Sequence, residues 1–131
     1  MRFADVLAGY STAGDAVNAD VRIGAVSVGD NWIASNIAAG VLANDEGGFG
    51  TVDDSLIAGG KETIVSKIAS IAIKGGAAFG TPGAGDHFGF VAEEIGKFSI
   101  GKTTFPLGRG ASNDTAGFTI GSSLDLSVRE I

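Results

Sequence analysis

Apolar residues recur along the chain as Ile-x-x-apolar-x-apolar, usually followed closely by glycine. The element stands at Ile23-Gly24-Ala25-Val26-Ser27-Val28-Gly29, at Ile68-Ala69-Ser70-Ile71-Ala72-Ile73-Lys74-Gly75 and at Ile95-Gly96-Lys97-Phe98-Ser99-Ile100-Gly101. A degenerate copy closes the chain at Leu124-Asp125-Leu126-Ser127-Val128, and Phe3 to Gly9 reads as a truncated fifth. Within each copy apolar residues alternate with small or polar ones, which is the period of a strand with one buried face. Aligned on their central apolar residues, Val26, Ile71, Phe98 and Leu126, the copies are separated by 45, 27 and 28 positions. The last two intervals each predict one coil of a parallel β-solenoid and the first predicts two, with ladders of Ile, Val and Phe filling the interior.

Further strands are predicted at Trp32–Val41, His87–Val91 and Phe118–Ile120, and loops at Leu42–Asp54, Gly75–Asp86 and Thr103–Gly117. Lys61–Ser70 and Phe90–Lys97 carry a weak helical pattern, but both run into Ile-rich strand patterns. The fold expected for residues 1–131 is therefore a single all-β domain, a right-handed parallel β-helix of four to five irregular coils. An antiparallel β-sandwich shares the short strands and frequent turn signals and stays open as the alternative.

Composition agrees with tight turns between short strands. Glycine accounts for 22 of 131 residues, more than twice its usual share, with only two prolines and no collagen period. Hydrophobic residues make up 44% and charged residues 18%, which excludes a disordered, charge-rich chain. The net charge of −6 and the dispersed Lys and Arg argue against nucleic acid as a partner. No apolar stretch approaches the roughly 20 residues of a membrane-spanning helix. The first residues lack the apolar core of a signal peptide, so an export signal is expected either to lie upstream or to have been removed, and the chain is expected to be the C-terminal segment of a larger exported protein. The absence of cysteine removes disulfides, thiol catalysis and thiolate metal sites.

Ile23–Gly29 leading into Asn31-Trp32-Ile33-Ala34-Ser35, Asp86-His87-Phe88-Gly89-Phe90-Val91-Ala92 and the terminal Val128-Arg129-Glu130-Ile131 resemble the repeats of large bacterial cell-surface proteins with right-handed β-helix character. The resemblance runs from about Ala4 to the end. It implies a β-helix at the cell surface or outside the cell, and says little about activity.

Gly96-Lys97-Phe98-Ser99-Ile100-Gly101-Lys102-Thr103 matches the phosphate-loop pattern G-x-x-x-x-G-K-[ST]. That loop functions only between a strand and a helix N-terminus. Here Phe98 and Ile100 alternate as in a strand, and Thr104-Phe105-Pro106 and two glycines follow, so the match reads as a strand and a turn. The stronger candidate is Asn44-Asp45-Glu46-Gly47-Gly48-Phe49-Gly50-Thr51-Val52-Asp53-Asp54. Its hard oxygens suit calcium, which takes six to eight of them in flexible geometry. The spacing is not that of an EF-hand; it looks like the acidic Gly-Phe-Gly loops of secreted repeat proteins. Asn44, Asp45, Glu46, Asp53 and Asp54 are the expected metal ligands, against the plainer reading of a solvated acidic turn.

His87, the one histidine, cannot build a multi-histidine site, and its neighbour Asp86 points to the opposite face of a strand. Asp53/Asp54 and Glu93/Glu94 are sequence neighbours, whereas glycosidase acids face each other across a sugar. Arg22, Lys67 and Lys97 are basic residues that a lyase face would need beside those acids. No catalytic residues are assigned. A non-catalytic structural or adhesive module is expected, contacting cell-surface components and associating with itself through an exposed solenoid end. A calcium-dependent carbohydrate-binding or polysaccharide-cleaving β-helix is the alternative, recognisable by an open groove carrying both acidic and basic side chains.

Overall fold

The computed structural model describes residues 1–44, 48–81, 85–114, 118–120, 123 and 125–131. Among them every regular element is a strand. In chain order these are β1 (Asp5–Ala8), β2 (Arg22–Val28), β3 (Trp32–Ile33), β4 (Asn36–Ala39), β5 (Val41–Leu42), β6 (Ser55–Leu56) and β7 (Lys67–Ile73). They continue as β8 (Ala78–Phe79), β9 (Phe88–Ala92), β10 (Glu94–Ile95), β11 (Phe98–Ile100), β12 (Thr103–Phe105), β13 (Phe118–Ile120) and β14 (Leu126–Glu130). Of the two segments with weak helical pattern, Lys61–Ser70 passes through a turn into β7 and Phe90–Lys97 lies across β9 and β10, because their β-branched and aromatic residues pack better on a pleated surface.

Parallel pairing dominates. In the first sheet β1, β4, β9 and β14 run parallel, and β13 closes it antiparallel to β14. Val6 pairs with Ile37, Ile37 with Phe90, and Phe90 with Val128. In the second sheet β7 lies between β2 on one side and β10 and β11 on the other, all parallel to it, and β12 folds back antiparallel on β11. β3 and β8 form a third, two-stranded parallel sheet, and Arg2 bridges to Ile33 beside it. β5 and β6 make a small antiparallel pair. The chain thus visits first, second and third sheet in the order β1, β2, β3, then again as β4, β7, β8, and then passes through β9 to β10 and β11.

The expected alignment of Val26, Ile71 and Phe98 is met, since Val26 and Phe98 are both register partners of Ile71. Two corrections follow from the other copies. Leu126 pairs with Phe88, not with Phe98, and Phe3–Gly9 contributes β1, so both end copies belong to the first sheet. Alternation distinguishes inward from outward residues but carries no label for the sheet a strand joins. The 45-residue interval is likewise one return to the same sheet rather than two, because β2 and β7 are neighbours and the β5–β6 excursion lengthens the path.

The x-x in the recurring element also has a structural cause. Ile68 and Ile71 are three apart, yet both are buried, so β7 bends between them. The Gly24–Ala69 step is missing from the ladder, and the bend recurs at Gly96, where a Cβ would stand 2.5 Å from the Ala69 carbonyl oxygen. Strict alternation is therefore broken at one shared point of the second-sheet copies, at Gly24, Ala69 and Gly96.

One core serves all three sheets. Trp32 from β3, Phe90 from β9 and Phe98 from β11 are fully buried and stack in series, with ring centroids 4.9 Å apart at both steps. Phe105 of β12 continues the series at 5.1 Å. Tilted rings at such spacings gain quadrupolar attraction beyond their burial. Ile68, Ile71, Ile73, Ile95 and Leu126 fill the remainder.

Glu130 is a charged residue set in this largely apolar interior. It follows Leu126 and Val128 at an inward position and is completely buried. Its carboxylate accepts hydrogen bonds from the backbone N–H groups of Ile95 (2.7 Å), Asn113 (3.1 Å) and Asp114 (3.3 Å). Three N–H donors compensate the lost hydration of the carboxylate and tie β14 to β10 and to the loop beyond β12. The phosphate-loop match proves to be β11, a turn at Gly101-Lys102 and β12, with Gly101 at φ +57 where a left-handed backbone is needed.

Candidate functional site

The acidic loop connects β5 to β6, whose pairing of Val41 with Leu56 and Leu42 with Ser55 brings its two ends together. Its second half is docked on the first sheet. Gly48 bridges to His87, Phe49 is buried, and the Ser127 hydroxyl donates to the Gly50 carbonyl at 2.8 Å. Tyr10 meets the Phe49 ring edge-on at 6.5 Å and donates its hydroxyl to the Val41 carbonyl at 2.7 Å. Gly89 makes the docking possible, since a Cβ there would stand 2.7 Å from the Gly50 backbone.

Of the five expected ligands, Asp45 and Glu46 lie outside the described residues. Asn44 and Asp53 are brought together: the Asn44 amide donates to the Asp53 carbonyl and also to the Ser55 hydroxyl at 3.3 Å. The Asp53 carboxylate accepts from the Thr51 hydroxyl. Asp54 turns inward, and its Oδ2 accepts the Gly50 N–H at 2.7 Å. Its Oδ1 is buried and has no hydrogen-bond partner among the described residues. Burial pushes the Asp54 carboxyl up to about 6, and the Asp53 charge adds to the rise. The Gly50 N–H, Arg129 and the Thr51 N–H hold the rise in check. Burial also raises the Tyr10 phenol.

Asn44, Asp53 and Asp54 spend polar atoms on the loop's own backbone and hydroxyls. Among the described residues no three acidic or imidazole side chains gather as a metal would require. What the arrangement does is hold a loop closed and keep one carboxyl ready to take up a proton near pH 6.

Elsewhere the candidate side chains serve the fold. Glu93 accepts the Ser66 N–H at 2.9 Å, and Glu94 forms an ion pair with Lys67, so the two neighbouring acids point to different partners. Lys67 is in register with both Arg22 and Glu94. His87 and Asp86 are exposed, and the Asp86 carboxylate accepts the Thr81 hydroxyl at 3.4 Å. A cleft of about 260 Å³ is lined by apolar Leu56, Ile57 and Ile64 and by charged Asp20, Lys61 and Glu93. A second, of about 310 Å³, is lined by Ala78, Phe79, Ile100, Thr103 and Phe105 and carries no titratable side chain.

Tyr10, Ser127 and Arg129 were not foreseen at the loop. Arg129 donates to the Val52 carbonyl at 3.5 Å, and its buried Nε has no partner among the described residues. The outward positions of β14, Ser127 and Arg129, were legible from alternation, but only the docked loop gives them a role. Among the described residues no helix is long and apolar enough to cross a membrane. No protein-family model, curated protein or solved structure matches the chain.

Proposed function

We propose that the chain is a right-handed parallel β-helix of four to five irregular coils, acting as a non-catalytic structural or adhesive module of a bacterial surface or secreted protein. The observation that carries this is the repeated order of visits to three sheets around one core, with Val6, Ile37, Phe90 and Val128 following one another in register. The right hand is the one that crossovers between parallel strands strongly prefer. A stack of this kind is stiff along its axis and presents a long repetitive surface, which suits display or spacing at a cell surface.

Mechanical unfolding of the single domain tests the architecture. Peeling coil by coil releases steps of 27 and 45 residues, the spacings between register partners in the second sheet. One all-or-none event would support a sandwich instead. Immunolabelling of intact cells tests the location, and turnover of any polysaccharide by the purified chain would overturn the non-catalytic role.

Carbohydrate binding is the second reading, favoured by the cleft that combines Asp20, Glu62 and Glu93 with Lys61 over an apolar floor. A glycan array with wild type and Lys61→Ala tests it: retained glycans lost in the variant support the cleft, and an empty array removes this reading. Calcium stabilisation belongs to the same proposal and would use Asn44, Asp53 and Asp54 together with Asp45 and Glu46. A rise in Tm with millimolar calcium that Asp53→Asn abolishes supports it, and an unchanged Tm removes calcium.

A further inference from the structure

We infer that the cleft beside Ile57 prefers sugars bearing a free amine, an ammonium at neutral pH, to neutral and N-acetylated ones, a selectivity that rests on the carbohydrate reading proposed above. Its volume of about 260 Å³ falls just below the roughly 300–1,000 Å³ of pockets that enclose a drug-sized ligand, which suits one ring of a longer glycan. Among the described residues that line it none is aromatic. Ring stacking therefore contributes nothing, and the floor is aliphatic, with Ile57 buried and Leu56 and Ile64 beside it. Such a floor covers the C–H face of any pyranose and separates one sugar from another poorly. Discrimination is left to the charged rim.

That rim is acidic and not neutralised from within. Three carboxylates, of Asp20, Glu62 and Glu93, stand against the single ammonium of Lys61, which leaves two negative charges in excess. Among the described residues these four side chains form no ion pair with one another; the pair formed next to them joins Lys67 to Glu94. A neutral or acidic sugar would gain nothing from this excess, whereas a cationic one meets complementary charge.

Two of the three carboxylates are fixed in place by the backbone. Asp20 Oδ1 accepts the Lys61 N–H at 2.8 Å, and Glu93 Oε2 accepts the Ser66 N–H at 2.9 Å. The Ser66 hydroxyl in turn accepts the Glu93 N–H at 3.2 Å. Asp20 precedes β2 and Glu93 precedes β10, strands that flank β7 on its two sides, so both acids sit on the rigid frame. Gly60 lets the β6–β7 connection lie against them, since a Cβ there would stand 2.7 Å from the Ala19 Cβ and 3.0 Å from Asp20 Oδ1. Asp20 Oδ2 and Glu93 Oε1 accept no hydrogen bond among the described residues. Each clamped carboxylate thus keeps one oxygen for a ligand and loses little freedom on binding it. An ammonium offers such oxygens charge-assisted bonds, about twice as strong as neutral ones, while N-acetylation removes the charge and leaves a single N–H.

Titration calorimetry of the purified chain at low salt tests the selectivity, using β-1,4-linked tetramers of glucosamine, N-acetylglucosamine and glucose, with tetralysine as a cation that has no sugar ring. The glucosamine tetramer is expected to bind about tenfold or more tighter than the other two tetramers and tighter than tetralysine. Molar salt should shrink that advantage. Glu93→Gln and Asp20→Asn, which keep an acceptor for the backbone N–H, should each reduce the ratio of glucosamine to N-acetylglucosamine affinity by about threefold or more. Glu62→Gln should also lower the ratio with Tm unchanged, because Glu62 makes no hydrogen bond or ion pair among the described residues. Lys61→Ala should weaken both glycans without lowering their ratio. Equal binding of the three tetramers overturns the selectivity and leaves the carbohydrate reading standing, whereas binding of none removes both. Tetralysine bound as tightly as the glucosamine tetramer would overturn it too, as would a preference that survives all three carboxylate variants.

Discussion

Removing the Phe90 ring is the sharpest test of a core shared by three sheets. Phe90 has no exposed surface and lies between Trp32 and Phe98, each 4.9 Å away, one from the third sheet and one from the second. Truncation of a buried Phe to Ala costs about 3–5 kcal/mol through lost transfer energy and the cavity left behind. Two ring pairs are broken together, which places Phe90→Ala in the upper half of that range. Total stabilities of natural domains are only about 5–15 kcal/mol, so the variant should lose a large share of its own. For a chain of this size the expected fall in Tm is on the order of 12–20 °C. Phe3→Ala is the matched control, because Phe3 is 69% exposed and its loss should change Tm by no more than a degree or two. Urea unfolding followed by circular dichroism measures both. Equal, small losses in the two variants would refute the shared core, since Phe90 would then not bridge the sheets.

Two further substitutions probe the polar framework. Glu130→Gln keeps the shape but offers one acceptor oxygen and two donors to three N–H groups, so it should destabilise by about 2–4 kcal/mol and speed amide exchange at Ile95. An effect below about 0.5 kcal/mol would mean that these bonds are not holding β14. Asp54 binds its proton more tightly in the folded chain than in the unfolded one, with the carboxyl near 6 rather than 3.8. Its contribution to stability is therefore fully present below about pH 4 and is lost as pH rises through about 6. After allowance for solvent screening the change is about 1–2 kcal/mol. Asp54→Asn should flatten the pH dependence of Tm in that window and raise Tm at neutral pH; a wild-type profile that is already flat would contradict this.

Much of the strand set was legible because inward residues repeat on a short period. Ile68, Ile71 and Ile73, or Phe98 and Ile100, announce their strands locally, and the β2, β7 and β11 alignment follows from matching such strings. The sheet to which a strand belongs is decided by the path of the loops, and Leu126 shows the consequence, pairing with Phe88 rather than Phe98. Glu130 carried a readable signal, a charge at an inward position of β14, whose meaning depends on N–H groups from β10 and from residues 113 and 114. At the acidic loop composition pointed to oxygen donors and could not tell their direction. The fold turns Asp54 toward Gly50 and Thr51 and brings Arg129 from 75 positions away.

In-register parallel stacking is tested most directly by pairwise disulfide trapping, since the chain has no cysteine of its own. Ser27, Ala72 and Ser99 are successive register partners at outward-facing positions of β2, β7 and β11. Neighbouring strands are about 4.8 Å apart, within the roughly 4.4–6.8 Å between Cα atoms that a disulfide spans, whereas strands two apart stand at about 9.6 Å. Ser27→Cys with Ala72→Cys, and Ala72→Cys with Ser99→Cys, should each oxidise to an intramolecular bridge, and Ser27→Cys with Ser99→Cys should not. A bridge between positions 27 and 99, or none in either neighbouring pair, would contradict the stacked arrangement.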